Sequence, residues 1–383
     1  MTVVTSVRTL RRIVRPAAIG VFALAAATGS LSCASGEVPA SGSAAIKSSR
    51  TLAATRGPTG QRPTPTSALA LSPSEVARIR TGHYTAAMAW HQTSDFTSAV
   101  TAGARHELAQ LGIRVVAETS ADFDAAKQKS DVETIEARKP SVLLTLPVDR
   151  VVTASAYKAA ARQGTKIVLL SEVPQGMKYG RDYVNLVTDD LFQMGKRAAD
   201  ALAAAVGDNG TVGYFFHDAN HFVTNQRDHA FLRTITTNYP SIKLVRQGIA
   251  DPNQSQSEAN AVLLKNPGLS GVYVTFSQPP GEDVLASLRA NGNTKTKIVS
   301  LDLDTLLALD MAKRGHTFAL IADRPYDLGR AMAISAGYGL LGKKAPAFVI
   351  GPAMTITRSN MVAGYRESLR RSPPAAVMKA LGR

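Results

Sequence analysis

The sequence predicts an α/β protein built from two successive doubly wound units. Apolar runs of strand length alternate with amphipathic stretches of helical length from about His83 to Leu341. Each strand–helix–strand unit takes roughly thirty residues, the length of a βαβ crossover. The alternation restarts after Thr188-Asp189-Asp190, giving a second unit of similar size. Several strands are continuously apolar, as in a parallel sheet covered by helices on both faces.

In the first unit the expected strands are Tyr84–Ala89, Ile113–Thr119, Val142–Leu146, Lys166–Leu170 and Tyr183–Val187. Between them fall helices at Ser94–Leu111, ended by Gly112, at Asp122–Arg138, with an aspartate at its cap, and at Ala154–Arg162, stopped by Gly164. In the second unit helices are expected at Leu191–Val206, Thr224–Asn238, Asn253–Lys265, Gly281–Asn291, Asp304–Arg314 and Tyr326–Leu341. The strands between them are Thr211–Phe216, Ile242–Gly248, Gly271–Thr275, Lys297–Leu301 and Phe318–Ala322.

The chain of 383 residues carries a net charge of +15. Residues 1–66 hold eight basic residues and one acid, Glu37, so +8 remains for all that follows. There is no basic helix with interleaved aromatics, which argues against nucleic acid as a partner. Arginines at 8, 11, 12 and 15 precede the apolar run Ala17–Ala27, too short to span a bilayer but fitting a signal peptide. Ser30-Leu31-Ser32-Cys33 then resembles a bacterial lipoprotein box, with ordinary cleavage nearby as the alternative. Cys33 is the single cysteine, so no intrachain disulfide can form. Residues 34–81 follow, rich in Ser, Pro and Thr as far as 72, and read as a disordered tether. These features point to secretion across the cytoplasmic membrane, to a periplasmic or cell-surface site, and to a lipid anchor through Cys33.

Neither unit has a G-x-G-x-x-G or G-x-x-x-x-G-K turn, so no nucleotide cofactor is expected. There is no G-x-S-x-G, the turn that presents a serine nucleophile. His217, Asp218 and His221 form H-D-x-x-H, chemically able to ligate zinc, and leave a metal-dependent hydrolase as a lesser alternative. The loop that carries them runs from strand Thr211–Phe216 into a helix holding Asn225 and Arg227, the kind of place where open α/β sheets bind ligands.

Several segments together resemble bacterial periplasmic sugar-binding proteins of the ribose/galactose type, the substrate-binding subunits of ABC importers. They are DFTSAVTAGARHELAQLGI (95–113), VLLTLPVD (142–149), KIVLLSEVP (166–174), NLVTDD (185–190), TNQRDHAFL (224–232), IVSLDLD (298–304) and ALIADRPYDLG (319–329). The resemblance implies the type I periplasmic binding protein fold, two Rossmann-like lobes joined by three crossovers. One lobe would hold 82–187 plus 323–349 and the other 188–322 plus 350–383. It also implies a monomer that binds a sugar or polyol by hinge closure, with ABC permease subunits as partners and no catalysis. A sensor lipoprotein signalling to a membrane receptor or kinase uses the same clamp and remains the alternative. A LacI-type regulator shares the fold but would need a DNA-binding headpiece.

Carried over residue by residue, the resemblance assigns Trp90, His91, Ser94, Asp95 and Phe96 to one jaw of the cleft. Trp90 could equally be core, and Asp149 could bind ligand or cap a helix. Glu172 stands with Ser171 where ribose-type proteins have an Asp–Arg pair. In the other lobe Arg227 is the main candidate, flanked by His217 and Asn225, with a salt bridge to Asp228 or Glu258 as the plain alternative. Asp302 matches the family's sugar-binding aspartate, while Asp304 reads as a helix cap. Asp323 replaces a glutamine. The family's Asn–Asp pair is missing at Phe276-Ser277-Gln278-Pro279-Pro280, where Ser277 or Gln278 could substitute.

Overall fold

The computed structural model describes residues 45–383. The signal-like segment, Cys33 and the tether up to residue 44 lie outside the described residues. In chain order the first lobe contributes β1 (Thr64–Pro65), α1 (Pro73–Thr81), β2 (Thr85–Trp90), α2 (Asp95–Gln110), β3 (Arg114–Ser120), α3 (Ala125–Glu136), β4 (Val142–Thr145), α4 (Ala154–Arg162), β5 (Lys166–Leu170) and β6 (Asn185–Asp189). The chain then crosses to the second lobe for α5 (Leu191–Val206), β7 (Gly210–His217), α6 (Phe222–Asn238), β8 (Ile242–Ile249), α7 (Ser255–Lys265), β9 (Gly271–Val274), α8 (Glu282–Ala290), β10 (Lys297–Leu301), α9 (Thr305–Ala312) and β11 (Thr317–Ala322). It returns for α10 (Pro325–Leu340) and β12 (Phe348–Gly351), and crosses once more for β13 (Met354–Ile356), α11 (Met361–Ser368) and α12 (Ala375–Ala380).

One sheet has the order β1-β12-β6-β5-β4-β2-β3 and is parallel throughout. The other runs β13-β11-β10-β9-β7-β8 and is parallel except for the pairing of β13 with β11. Each sheet has a hydrophobic cluster on both faces, which is why strands such as Val142–Thr145 and Gly271–Val274 are buried end to end. Among the described residues no helix is long and apolar enough to cross a membrane.

Residues 45–81 depart from the expected tether. They lie along both lobes as a strap. Lys196 and Asp200, one turn apart on α5, form a buried ion pair at 2.7 Å. The strap covers it: Ser48 accepts from Lys196 Nζ, and Ser49 donates to Asp200 through its N–H and its hydroxyl. Farther along, Thr55 donates to Asp190 and accepts from the Phe192 N–H. Thr64 and Pro65 then pair with β12 in the other lobe, and α1 begins under a Ser72–Glu75 capping box. A Ser/Thr-rich composition predicts disorder because it offers little apolar area. Here those hydroxyls instead satisfy buried charged groups, which a count of apolar residues does not register.

Candidate functional site

A cavity of about 450 Å³ lies where the carboxyl ends of the two sheets face each other, within the range of small-molecule sites, about 300–1,000 Å³. Loops after β2, β3, β4 and β5 line it from one lobe, and loops after β7, β8, β9 and β10 from the other. This is the position at which doubly wound sheets bind ligands.

Its charged floor is built on α6. Arg227 is buried, and its Nη1 lies 3.0 Å from Asp302 Oδ1 and 3.6 Å from Asp189 Oδ2. Burial alone would lower the guanidinium pKa, but Asp302 and Asp189 outweigh it and hold the group above its ordinary value. Asp228, the next residue, turns to the sheet. It accepts from the Tyr273 hydroxyl at 2.6 Å, the His217 N–H at 2.9 Å and the Thr275 hydroxyl at 3.0 Å, and so pins α6 to β7 and β9. Burial pushes Asp302 up to about 6 against the pull of Arg227, and Asp189 adds to the rise. Arg227 Nε and Asp189 Oδ2 have no hydrogen-bond partner among the described residues.

The walls are imidazoles and phenyl rings. Desolvation pushes His91 down to about 3 and His217 and His221 down to about 4, so all three are neutral at pH 7. A neutral imidazole can both donate and accept. Phe123 of the first lobe stacks on Phe276 of the second with ring centroids 6.2 Å apart, and His91 and His217 meet these rings edge-on. Four lining residues, Asp122, Phe123, Ser171 and Asp302, have left-handed backbones with φ of 51°, 63°, 64° and 70°. Such strain in non-glycine residues collects at functional sites.

Of the residues expected at the cleft, His91, Ser94, Asp95, Phe96, Asp149, His217, Arg227 and Asp302 line the cavity. Two of them are engaged locally: Ser94 caps α2, and Asp149 accepts from the N–H groups of Val151 and Val152. Trp90, Glu172, Asn225 and Asp323 do not line it. Trp90 closes β2 with its ring in the core under α2 and α10. Glu172 bonds to the backbone of the opposite lobe at Phe222. Asn225 sits on α6 away from the cavity. Asp323 is buried, and desolvation, with the nearby Asp189 and Asp302 adding to it, pushes it well above its ordinary value. Within H-D-x-x-H, His217 Nδ1 bonds to Thr224, and the two rings stand 6.0 Å apart. Among the described residues no group of three or more His, Cys, Asp or Glu is placed to hold a metal ion.

Phe123, Phe276, Asp189 and His221 also line the cavity but were not among the residues expected to bind ligand. Each lies within a few residues of a strand's carboxyl end. Applying the strand-end rule evenly to all strands would have found them.

The family described as periplasmic binding protein domain matches residues 61–344. No curated protein matches the chain. A carbohydrate transporter solute-binding protein from Agrobacterium radiobacter, solved in complex with D-arabinose, is 25% identical with a TM-score of 0.66, covering 76% of this chain and 99% of its own. An ABC transporter solute-binding protein from Agrobacterium vitis, bound with alpha-D-tagatopyranose, is 24% identical with a TM-score of 0.67, covering 74% and 98%. A third, from Mycobacterium smegmatis with bound glycerol, is 23% identical with a TM-score of 0.65, covering 74% and 96%. Together with two doubly wound lobes and a cavity between their strand ends, the match over most of the chain means that this protein belongs to the periplasmic binding protein family, whose members bind solutes and are not enzymes.

Proposed function

We propose that the protein captures a neutral sugar or polyol outside the cytoplasmic membrane and delivers it to an ABC permease. The observation that carries this is the self-neutralised floor of the cavity. Arg227 is already matched by Asp302 and Asp189, so the site has no spare positive charge for a phosphate or carboxylate. What remains is directional: the open valences of Arg227 Nε and Asp189 Oδ2, and three neutral imidazoles. Hydroxyl groups both donate and accept, and bonds to an ionised partner are roughly twice as strong as neutral ones. The phenyl rings of Phe123 and Phe276 offer an apolar wall to the C–H face of a ring or chain.

In this reading Arg227, Asp302, Asp189, His91 and His217 hold the ligand's hydroxyls, with Phe96 and Asp149 nearer the rim. The lobes close on the ligand by a hinge motion, and the closed monomer docks on the permease. Cys33 would carry a lipid that keeps the protein at the membrane. The ligands of similar solved proteins, D-arabinose, alpha-D-tagatopyranose and glycerol, support a hydroxyl-rich ligand. The test is titration calorimetry with a panel of pentoses, hexoses and polyols. Micromolar or tighter binding of at least one is expected; no heat from any at millimolar concentration sinks the reading.

A further inference from the structure

Two carboxylates of the first lobe reach across the cleft to helix N-termini of the second. Glu172, just after β5, is buried, and its Oε2 accepts from the Phe222 N–H at 2.6 Å. Phe222 is the first residue of α6, whose own cap residue, His221, makes no side-chain cap bond. Asp95, at the start of α2, accepts at Oδ2 from both the N–H and the hydroxyl of Thr305, the first residue of α9, at 3.1 and 2.6 Å. Its Oδ1 takes Arg371 of the second lobe at 2.6 Å. These bonds join groups that separate whenever the lobes part.

From this geometry we infer that Glu172 and Asp95 are positioning residues for closure, two latches that set the closed-to-open ratio of the clamp. The inference rests on the clamp reading but not on the identity of the ligand. An opened cleft would leave the first N–H of α6 to water and remove the anion from the positive end of its dipole. The capture is also selective for one relative position of the lobes, because each carboxylate meets backbone groups fixed by a helix. α6 carries Arg227, so the Glu172 latch registers the binding floor against the first lobe at the same time. This explains a glutamate beside the cavity that does not line it.

A charge-assisted bond held only in the closed state shifts the closed-to-open ratio about 10-fold to 100-fold. Apparent ligand affinity falls by the same factor when the closed state is the competent one. The test is single-molecule fluorescence energy transfer on the ligand-free full chain, with dyes at cysteines introduced on the outer faces of α4 and α8 in a Cys33→Ser background. The wild-type lobes are expected to visit the closed distance, and the Glu172→Ala/Asp95→Ala double variant to do so at least 10-fold less often. Glu172→Gln, which keeps the shape and one acceptor oxygen, is expected to fall between them and to melt close to wild type. An unchanged closed fraction in the double variant and in Glu172→Gln overturns the inference, as does a wild type that never closes unliganded. Parallel titration with D-arabinose, D-tagatose and glycerol separates the two readings. Loss of closure with no sugar bound keeps the latches and removes the sugar; sugar bound with closure unchanged does the reverse.

Discussion

Arg227 sets the charge balance of the cavity, and its removal leaves the buried Asp189 and the half-buried Asp302 without a counter-charge. For Arg227→Ala the affinity for the ligand found by that titration panel is expected to fall about 100-fold, since hydrogen bonds to a charged group contribute about 1.5–3 kcal/mol. A dissociation constant within threefold of wild type, by calorimetry, removes Arg227 from the site. The imidazoles make a separate forecast. His91, His217 and His221 are held below the ordinary value of 6.5, so the folded state binds fewer protons than the unfolded chain. Their contribution to stability is present above about 6.5 and is lost as pH falls toward 4. Asp302 and Asp228, raised to about 6, work the other way and favour the fold on acidification through that range. Comparing His221→Asn with wild type isolates the imidazole: the variant's melting temperature is expected to drop less between pH 7 and pH 5. Equal drops would mean that His221 is not held neutral.

At the scale of elements, each lobe packs a helix pair through glycine. Gly103 on α2 faces the Tyr326 carbonyl at the start of α10, and Gly195 on α5 faces the Arg227 carbonyl on α6. A Cβ at either place would collide with backbone, which no rotamer change relieves. Gly195→Ala is therefore expected to lower stability by about 1–3 kcal/mol, the usual range for overpacking, and also to weaken ligand binding by shifting Arg227. Urea denaturation and calorimetry read the two effects; a stability loss with affinity intact would uncouple α5 from the site. The elements themselves were legible because apolar runs and glycine stops have local causes. The site was legible only in part. Trp90 ends a strand and Glu172 follows one, as ligand-binding residues do, but whether such a side chain enters the cleft depends on the register of a single residue. Phe123 follows the end of β3 by three residues, which is a local signal, but the left-handed backbone that aims it is imposed by the assembled loop.

For the whole molecule, family membership places the protein outside the cytoplasmic membrane, and its two sheets follow from the restart of the pattern near residue 190. The strap was hidden because its contacts are hydrogen bonds to residues more than a hundred positions away. A chain beginning at His83 would expose the Lys196–Asp200 pair and discard the β1 pairing. It is expected to unfold at a lower urea concentration than a chain beginning at Ala44; matching midpoints would make the strap dispensable. The same strap has a mechanical consequence. It is fastened to the second lobe as far as Arg56, whose carbonyl accepts from Gln226, and to the first lobe from Thr64. Residues 57–63 join the two hydrogen-bonded anchorages, with Gly57 already against Phe348 of the first lobe, and a fully extended chain of that length reaches about 25 Å. While both ends stay fastened, that reach would be an end stop for the proposed hinge motion, a limit on how wide the cleft could gape that is written outside the cleft itself.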